Sequence, residues 1–564
     1  FVGLMRSLPE FEPDATDGSA SLTVPLYAVC NDLPDVADRI MGTLFKAHLG
    51  DFGLFAQLRE TIYDNICRVS GVPPGTEPKK PLVLPSESKL GANEMVEAFF
   101  AGTPIFDLLS APVPFSIPQS VRTGHMHIVA GSGHGKTQTL QHFILRDLEA
   151  VVAGRASIIV IDSQSDLINT IAGLKVFAPG EPLADRLVLI DPTDIEWPVA
   201  LNLFDVGLER LDRYSPLDRE RLINSILELY DFVLGSLLDA GMTQKQSVIF
   251  RYITRLLLHI PDATIHTLRE LLEDGGAGRY RAHIEHLSGS ARAFFDNEFD
   301  GKEFTATKRQ VLRRLYGILE NQTFERMFSH PKSKLDLFAE MNAGKVILIN
   351  TAKDLLKESS TEIFGRFFIA MIAQAAQERA VLPPASRLPT FVYVDEANDY
   401  FDRTIGTILS QARKYNVGLL LAHQFLGQLE PKLHEAVAAN TAIKFAGGVS
   451  AKDARALAGD LRTDAGFSEA QPKLSFAAFV KGVTGRAVSL QIMAGEMESR
   501  ERMSDEERLA VKDAMRKRYA VNIAELAQSV ETKPKPEANT SEHQPDTPAE
   551  KAIAEPDDGQ PMEW

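Results

Sequence analysis

From residue 113 to about 450 the chain alternates short, wholly apolar runs with longer stretches whose apolar residues recur at helical spacing. The runs are HMHIVA (125–130), ASIIVID (156–162), DRLVLID (185–191), KVILIN (345–350), LPTFVYVDE (388–396), VGLLLAHQ (417–424) and AIKFAG (442–447). Runs this short, apolar on both faces and often closed by a polar residue, predict buried parallel strands. Helices between them predict an α/β fold with a doubly wound, mostly parallel sheet. Between 206 and 334 the strand signal vanishes. RERLINSILELYDFVLGSLL, TQKQSVIFRYITRLLLHI and TKRQVLRRLYGILENQTFERMF all carry helical period, which predicts an all-α domain inserted into the α/β core.

The flanks differ from this core. Residues 1–112 read as a separate small α+β region without evident chemistry, with a helix predicted over DFGLFAQLRETIYDNICRV (51–69) before the turn GVPPGTEPKKP. The core itself divides into 113–205, before the insertion, and 335–530, after it. The second part closes with the helix DEERLAVKDAMRKRYAV. Beyond it, residues 531–564 hold nine acidic residues against three basic ones and almost no large apolar side chains. Such a segment cannot bury a core, so an acidic, disordered C-terminal tail is expected.

Composition narrows the classes. Of 564 residues, 44% are hydrophobic and 24% charged, the balance of a folded protein of two or three domains. The net charge of −16 and pI near 5.4 oppose DNA, so any nucleic-acid contact must use a local basic surface or a channel. Only Cys30 and Cys67 occur, which excludes a disulfide framework and a zinc-ligand pattern and fits a reducing cytoplasm. No apolar run reaches the ~18 residues of a membrane span; FFIAMIAQAA (367–376) reads as a buried helix. The chain begins at Phe1 rather than Met, which leaves room for a membrane anchor upstream.

The candidate chemistry starts at AGSGHGKT (130–137), a phosphate-binding loop with alanine in place of its first glycine. A strand precedes it and a helix follows, the context that this motif requires. Gly131, Ser132, Gly133, His134, Gly135, Lys136, Thr137 and Gln138 are the expected nucleotide contacts. The glycines turn backbone N–H groups toward phosphate oxygens at a helix N-terminus. Lys136 is placed to reach the β- and γ-phosphates of ATP, and Thr137 to offer its hydroxyl to Mg²⁺. His134 is large for its position, and either the phosphate side or a neighbouring subunit is expected beside it. In FVYVDEAND (391–399), Asp395 and Glu396 stand at a strand's carboxyl end, where open α/β sheets bind ligands. Asp395 is expected to hold Mg²⁺ through water, and Glu396 to act as general base on an attacking water. Gln424 ends the next strand where that water would sit. Arg413, on the preceding helix, is either an ordinary surface arginine or a finger reaching a neighbour's nucleotide.

The succession PFSIP, VRTGHMHIVAGSGHGKT, IIVIDSQSD, ALNLFD, GKVILIN, VYVDEANDYF and ILSQARKYNVGLLLAHQ resembles the FtsK/HerA superfamily of ring-forming, DNA-pumping P-loop ATPases. Within it, the nearest likeness is to the type IV secretion coupling proteins of conjugative DNA transfer. The resemblance spans roughly 113–450. It implies a RecA-like core and an ATP–Mg²⁺ site built from Lys136, Thr137, Asp395, Glu396 and Gln424. It also implies Arg413 acting across a subunit interface, and a hexameric ring with DNA in a central channel. Two features depart from the pattern. The strand after the loop's helix ends in Asp162-Ser-Gln-Ser-Asp166 where the family usually has Asp-Pro-Lys-Gly, and the membrane segment of typical coupling proteins is not visible.

The location implied is cytoplasmic, at the inner membrane face if an upstream anchor or a partner supplies the attachment. Lys302, Lys308, Arg309, Arg313 and Arg314 form either a solvated helix face, the plainer reading, or a set of phosphate contacts for DNA. The tail, ending DDGQPMEW, offers an anionic segment that relaxosome or secretion-channel proteins could bind. Alternative readings are a HerA-like translocase in DNA processing or defence, a secretion ATPase energising protein export, and a non-hydrolysing scaffold; Glu396 and Gln424 speak against the last.

Overall fold

A computed structural model describes residues 21–526, apart from 31, 74, 206–213, 238–243 and 401–404. The expected disordered tail, 531–564, lies outside the described residues. The strands are β1 (Ser21–Pro25), β2 (Pro112–Ser116), β3 (Met126–Ala130), β4 (Ser157–Asp162), β5 (Leu187–Ile190), β6 (Val346–Asn350), β7 (Thr390–Val394), β8 (Val417–His423), β9 (Ile443–Gly447), β10 (Ser475–Val480) and β11 (Val488–Gln491). All eleven join one sheet in the order β2-β1-β11-β10-β9-β3-β8-β7-β4-β6-β5. From β9 to β5 every pairing is parallel; from β9 outward to β2 every pairing is antiparallel.

The seven parallel strands are the apolar runs read from the sequence, and their near-complete burial explains why they lack polar alternation. Helices cover both faces. On one, Ile128, Ile158, Val160 and Leu420 pack against Leu140, Phe143 and Ile144 of the helix Lys136–Val152. On the other, Ile159, Ile161 and Val394 share a core with Phe364 and Phe368 of the helix Lys353–Glu378 and with the inserted helices. This is a doubly wound α/β fold with an antiparallel extension. Between β5 and β6 the described residues form helices only, from Pro216–Leu237 to Leu337–Asn342. Among the described residues no helix is long and apolar enough to cross a membrane.

Four local expectations change. The antiparallel strands β10, β11, β1 and β2 escape a reading based on parallel runs, although SFAAFV and VSLQ around the turn KGVTGR carry a hairpin signal. The helix expected over 51–69 starts at Ala56, because Gly53 and Phe55 take positive φ of 63° and 59° and reverse the backbone before it. The N-terminal region has a helical core of its own around Ile62, Val96 and Phe99, yet sends β1 into the common sheet. Finally, the basic stretch of helix Lys302–Leu319 divides. Lys308 is 3% exposed, bonded to Asp300 at 2.8 Å and set over the Phe299 ring, so it is neither a solvated charge nor a phosphate contact. Lys302, Arg309 and Arg313 remain exposed, with Arg309 3.3 Å from Asp274.

A buried ion pair ties the glycine-loop helix to the sheet. Arg122 donates to both carboxylate oxygens of Asp147 at 2.6 and 2.7 Å and to the Tyr393 hydroxyl at 3.0 Å. Its guanidinium lies 4.0 Å from the centre of the Phe391 ring. All three polar groups are essentially without solvent. The Tyr393 hydroxyl also donates to Asp147 Oδ2, so its removal loses two bonds but leaves the ion pair, whereas removing one charge strands the other in a dry site. Asp147→Asn is therefore expected to cost about 3–5 kcal/mol and Tyr393→Phe, which loses bonds to both charged partners, about 1–3 kcal/mol. Thermal unfolding midpoints should fall in that order.

Candidate nucleotide-binding site

The centre of the site follows from the order of three neighbouring strands. β3 leads into the glycine loop, β8 lies beside it and is followed at once by Gln424, and β7 lies next and is followed by Asp395 and Glu396. All run the same way, so their carboxyl ends share one edge. There Lys136, 260 residues before Glu396, makes an ion pair with its carboxylate and lies 3.0 Å from Asp395 Oδ1. Gln424 Nε2 donates to Glu396 Oε1 at 3.0 Å. Thus Lys136, Asp395, Glu396 and Gln424 converge, and Thr137, the next residue of the same helix, is part-exposed beside them.

Burial sets the electrostatics. Asp395 and Glu396 are 6% and 8% exposed. Burial pushes the Asp395 carboxyl above its ordinary pKa, against the pull of Lys136. The same burial would depress the Lys136 ammonium, but the Asp395 and Glu396 carboxylates outweigh it and hold its pKa above the usual lysine value. Two dry carboxylates side by side demand a cation. Glu396 itself stands in the left-handed region at φ 49°, a conformation disfavoured for a side-chain-bearing residue and fixed here by the turn that closes β7.

The loop is held from beneath by two segments that the sequence reading did not connect with it. Gly131 N–H donates to the Gly447 carbonyl at 3.0 Å, and a Cβ at Gly131 would stand 2.2 Å from the Gly448 oxygen. Only glycine fits that approach. Gly135, at φ 113°, faces Leu474, where a Cβ would meet a methyl at 2.5 Å. His134 lies buried against Gly447 and Gly448, edge-on to Phe476, and its Nε2–H donates to the Ser475 carbonyl at 2.8 Å. Its side chain pins the loop to β9 and β10. Ser132 and Gly133 form the exposed tip. Gln138 turns away, to Gln141, Glu498 and the Gly495 amide. The glycine pair at 447–448 was the available signal for this clamp.

Asp162, in the segment that departs from the family pattern, and the candidate Arg413 make other contacts. Asp162 accepts from the Gln164 and Leu167 amides at 2.9 and 3.1 Å, so it caps the turn after β4; burial, aided by the nearby Asp395 carboxylate and opposed by those amides, pushes its pKa up to about 6. Arg413 is exposed and precedes β8, beside Gly124 and His125 at the amino edge of the sheet. A strand of that length spans roughly 20 Å, so Arg413 stands far from the Gln424 of its own chain.

The electrostatics generate a test. In Lys136→Met the Asp395 carboxylate loses its cation, and burial beside the Glu396 carboxylate holds its folded-state pKa above the unfolded value. A raised carboxyl pKa favours folding while the group is protonated and loses that advantage as pH rises through it. The variant should therefore lose more stability, relative to the parent chain, at about pH 8 than at about pH 5, read as the difference in thermal midpoint.

No family model matches the sequence, and no curated protein matches it. Solved structures do align with it over most of its length. The plasmid coupling protein TrwB in complex with the non-hydrolysable ATP analogue ADPNP aligns with 69% of this chain and 89% of its own, at 13% identity and a TM-score of 0.47. TrwB in complex with ADP and Mg²⁺ aligns over the same shares at 13% identity and a TM-score of 0.45. VirB4 of Thermoanaerobacter pseudethanolicus aligns with 66% of this chain and 90% of its own, at 13% identity and a TM-score of 0.43. The chain is thus similar in structure to a conjugative coupling protein and to VirB4, at low sequence identity.

Proposed function

We propose that this chain is an ATP-hydrolysing ring motor that moves DNA, or a DNA–protein complex, as the coupling ATPase of a type IV secretion or conjugation system. The observation that carries the hydrolytic part is the convergence of Lys136, Asp395, Glu396 and Gln424 on the carboxyl edge of three adjacent strands. The donor set fits ATP with Mg²⁺. A glycine loop opens a helix, a lysine stands at its first turn, and two buried carboxylates, here neutralised by that lysine, are what a divalent cation requires. Gly131 to Thr137 would hold the phosphates, with Lys136 on the β- and γ-groups. Thr137, and Asp395 through water, would hold Mg²⁺, which when bound supplies charge neutralisation to the phosphoryl oxygens.

In this reading Glu396 takes a proton from the attacking water, and Gln424, already bonded to the Glu396 carboxylate, orients that water. Arg413 acts on a neighbouring subunit. Its exposure at the sheet edge opposite its own site supports a role in trans, and that in turn calls for a ring, which the family resemblance gives as a hexamer. DNA would run in the central channel, gripped by local basic groups such as Lys302 and Arg313 rather than by the acidic molecule as a whole. The tail would recruit relaxosome or channel proteins. Work at the cytoplasmic face of the membrane would need an upstream segment or a partner. A HerA-like translocase shares the DNA-dependent hydrolysis; an ATPase that energises protein export does not.

Glu396→Gln should bind MgATP normally and hydrolyse it more slowly by about 10²–10⁴-fold, as expected for loss of a general base; near-normal turnover would overturn the assignment. Arg413→Ala should bind ATP and lose about a thousandfold in turnover. Mixing it with Lys136→Ala subunits should restore activity, because each kind supplies what the other lacks. Unimpaired turnover by Arg413→Ala alone would remove the role in trans. Steady-state phosphate release with purified variants and mixtures reads both outcomes.

A further inference from the structure

Two buried histidines join the strand that enters the glycine loop to the strand that carries Gln424. His127 of β3 and His423 of β8 are each 1% exposed, and their Nε2 atoms lie 2.7 Å apart. The ring planes differ by 23° and the centroids are 4.9 Å apart. Nitrogens that close cannot belong to rings stacked at van der Waals distance, so the rings meet edge to edge through one hydrogen bond. Ile128 packs on the side of the helix Lys136–Val152; alternation along the strand puts His127 on the other face.

The surroundings fix which ring donates. His423 Nδ1 lies 3.1 Å from the Phe425 carbonyl oxygen, which can only accept, so Nδ1 carries a hydrogen. Burial keeps both rings neutral. It pushes His423 down to about 4 and His127 well below the ordinary histidine value. Lys136, facing His423, and Lys444 and His434, facing His127, oppose protonation further, while Glu396 favours it at His423. Neutral His423 therefore has a bare Nε2, and His127 donates to it. The chain of bonds continues past Phe425. Gln428 Oε1 accepts from the Gln424 and Phe425 amides at 2.8 and 3.1 Å, and Gln424 Nε2 reaches Glu396.

We infer that His127 and His423 form a positioning pair for Gln424: their hydrogen bond ties the end of β8 to the strand leading into the glycine loop, and so holds the glutamine in register with Glu396 and Lys136. Both act through Gln424 rather than on the nucleotide. The inference rests on the hydrolytic reading of the site, and it gives the turn after β8 a tie to β3 that the Gln428 bonds to Gln424, Phe425 and His423 do not supply. It also separates binding from turnover. The glycine loop has its own clamp through Gly447, Leu474 and Ser475, so loosening the histidine pair leaves the phosphate cradle in place.

The test compares His127→Leu, which removes the donor, with His127→Gln, whose amide nitrogen can stand near the lost Nε2–H. Glu396→Gln and the parent chain are assayed beside them. His127→Leu should lower kcat about tenfold, equivalent to about 1.4 kcal/mol in activation free energy, with KM for ATP and nucleotide affinity unchanged. His127→Gln should recover most of that loss. The double variant His127→Leu/His423→Leu should be no slower than the single, because the two residues act as one unit. Equilibrium nucleotide binding confirms that each variant is folded. A kcat for His127→Leu within about twofold of the parent overturns the inference while leaving the hydrolytic site intact. So does a loss that glutamine does not recover, or one shared equally by KM, since either marks a plain packing role. Absence of turnover in the parent chain, or turnover indifferent to Glu396→Gln, overturns the hydrolytic reading and this inference with it.

Discussion

A lysine ammonium set between two buried carboxylates is the constraint around which the rest of the molecule is arranged. Lys136 is carried by the helix that follows β3, and Asp395 and Glu396 by the turn that follows β7. Charges of this kind are costly away from water unless they are paired. The pairing requires that β3, β8 and β7 lie side by side and point the same way. It also requires that the loop approach β9 as closely as Gly131 and Gly448 allow, and that the helix behind Lys136 be anchored. The Arg122–Asp147–Tyr393 cluster supplies that anchor, since Asp147 belongs to the helix and Tyr393 to the strand that bears the carboxylates. Sheet order, glycine placement and buried ion pairs thus serve one small patch of surface.

Much of this was legible in the sequence because it depends on local pattern. Buried parallel strands read as apolar runs, so all seven were placed to within a residue or two, and the helical insertion stood out by the absence of such runs. GHGKT, DE and the terminal glutamine of VGLLLAHQ sit at the ends of those runs, and a parallel sheet collects strand ends on one edge. What the sequence hid is what depends on pairing between distant segments. The antiparallel strands β10, β11, β1 and β2 have no motif at their ends, and β1 lies more than 450 residues from its partner β11. His134 looked like a candidate for the phosphate side, yet only the approach of Gly447, Ser475 and Phe476 gives its ring a place.

The same distinction separates charges. Five basic residues on one helix are alike in sequence, but Lys308 is drawn inward by Asp300 and the Phe299 ring, so the helix offers fewer cations to solvent than it contains. Arg413 follows a helix and precedes a strand, which places it at the amino edge while Lys136, Asp395, Glu396 and Gln424 gather at the carboxyl edge. His127 and His423 add a connection that no motif announces, two neutral imidazoles bonded across adjacent strands behind the site.

In the proposed reading the Lys136 loop cradles the phosphates of ATP with Mg²⁺ beside it. Titration of ATP into the intact chain, with and without Mg²⁺ and in parallel with Lys136→Ala, tests it most directly. Binding should be saturable and strengthened by Mg²⁺, and Lys136→Ala should abolish it while remaining folded. Equal binding by the two chains, or binding indifferent to Mg²⁺, would contradict that reading.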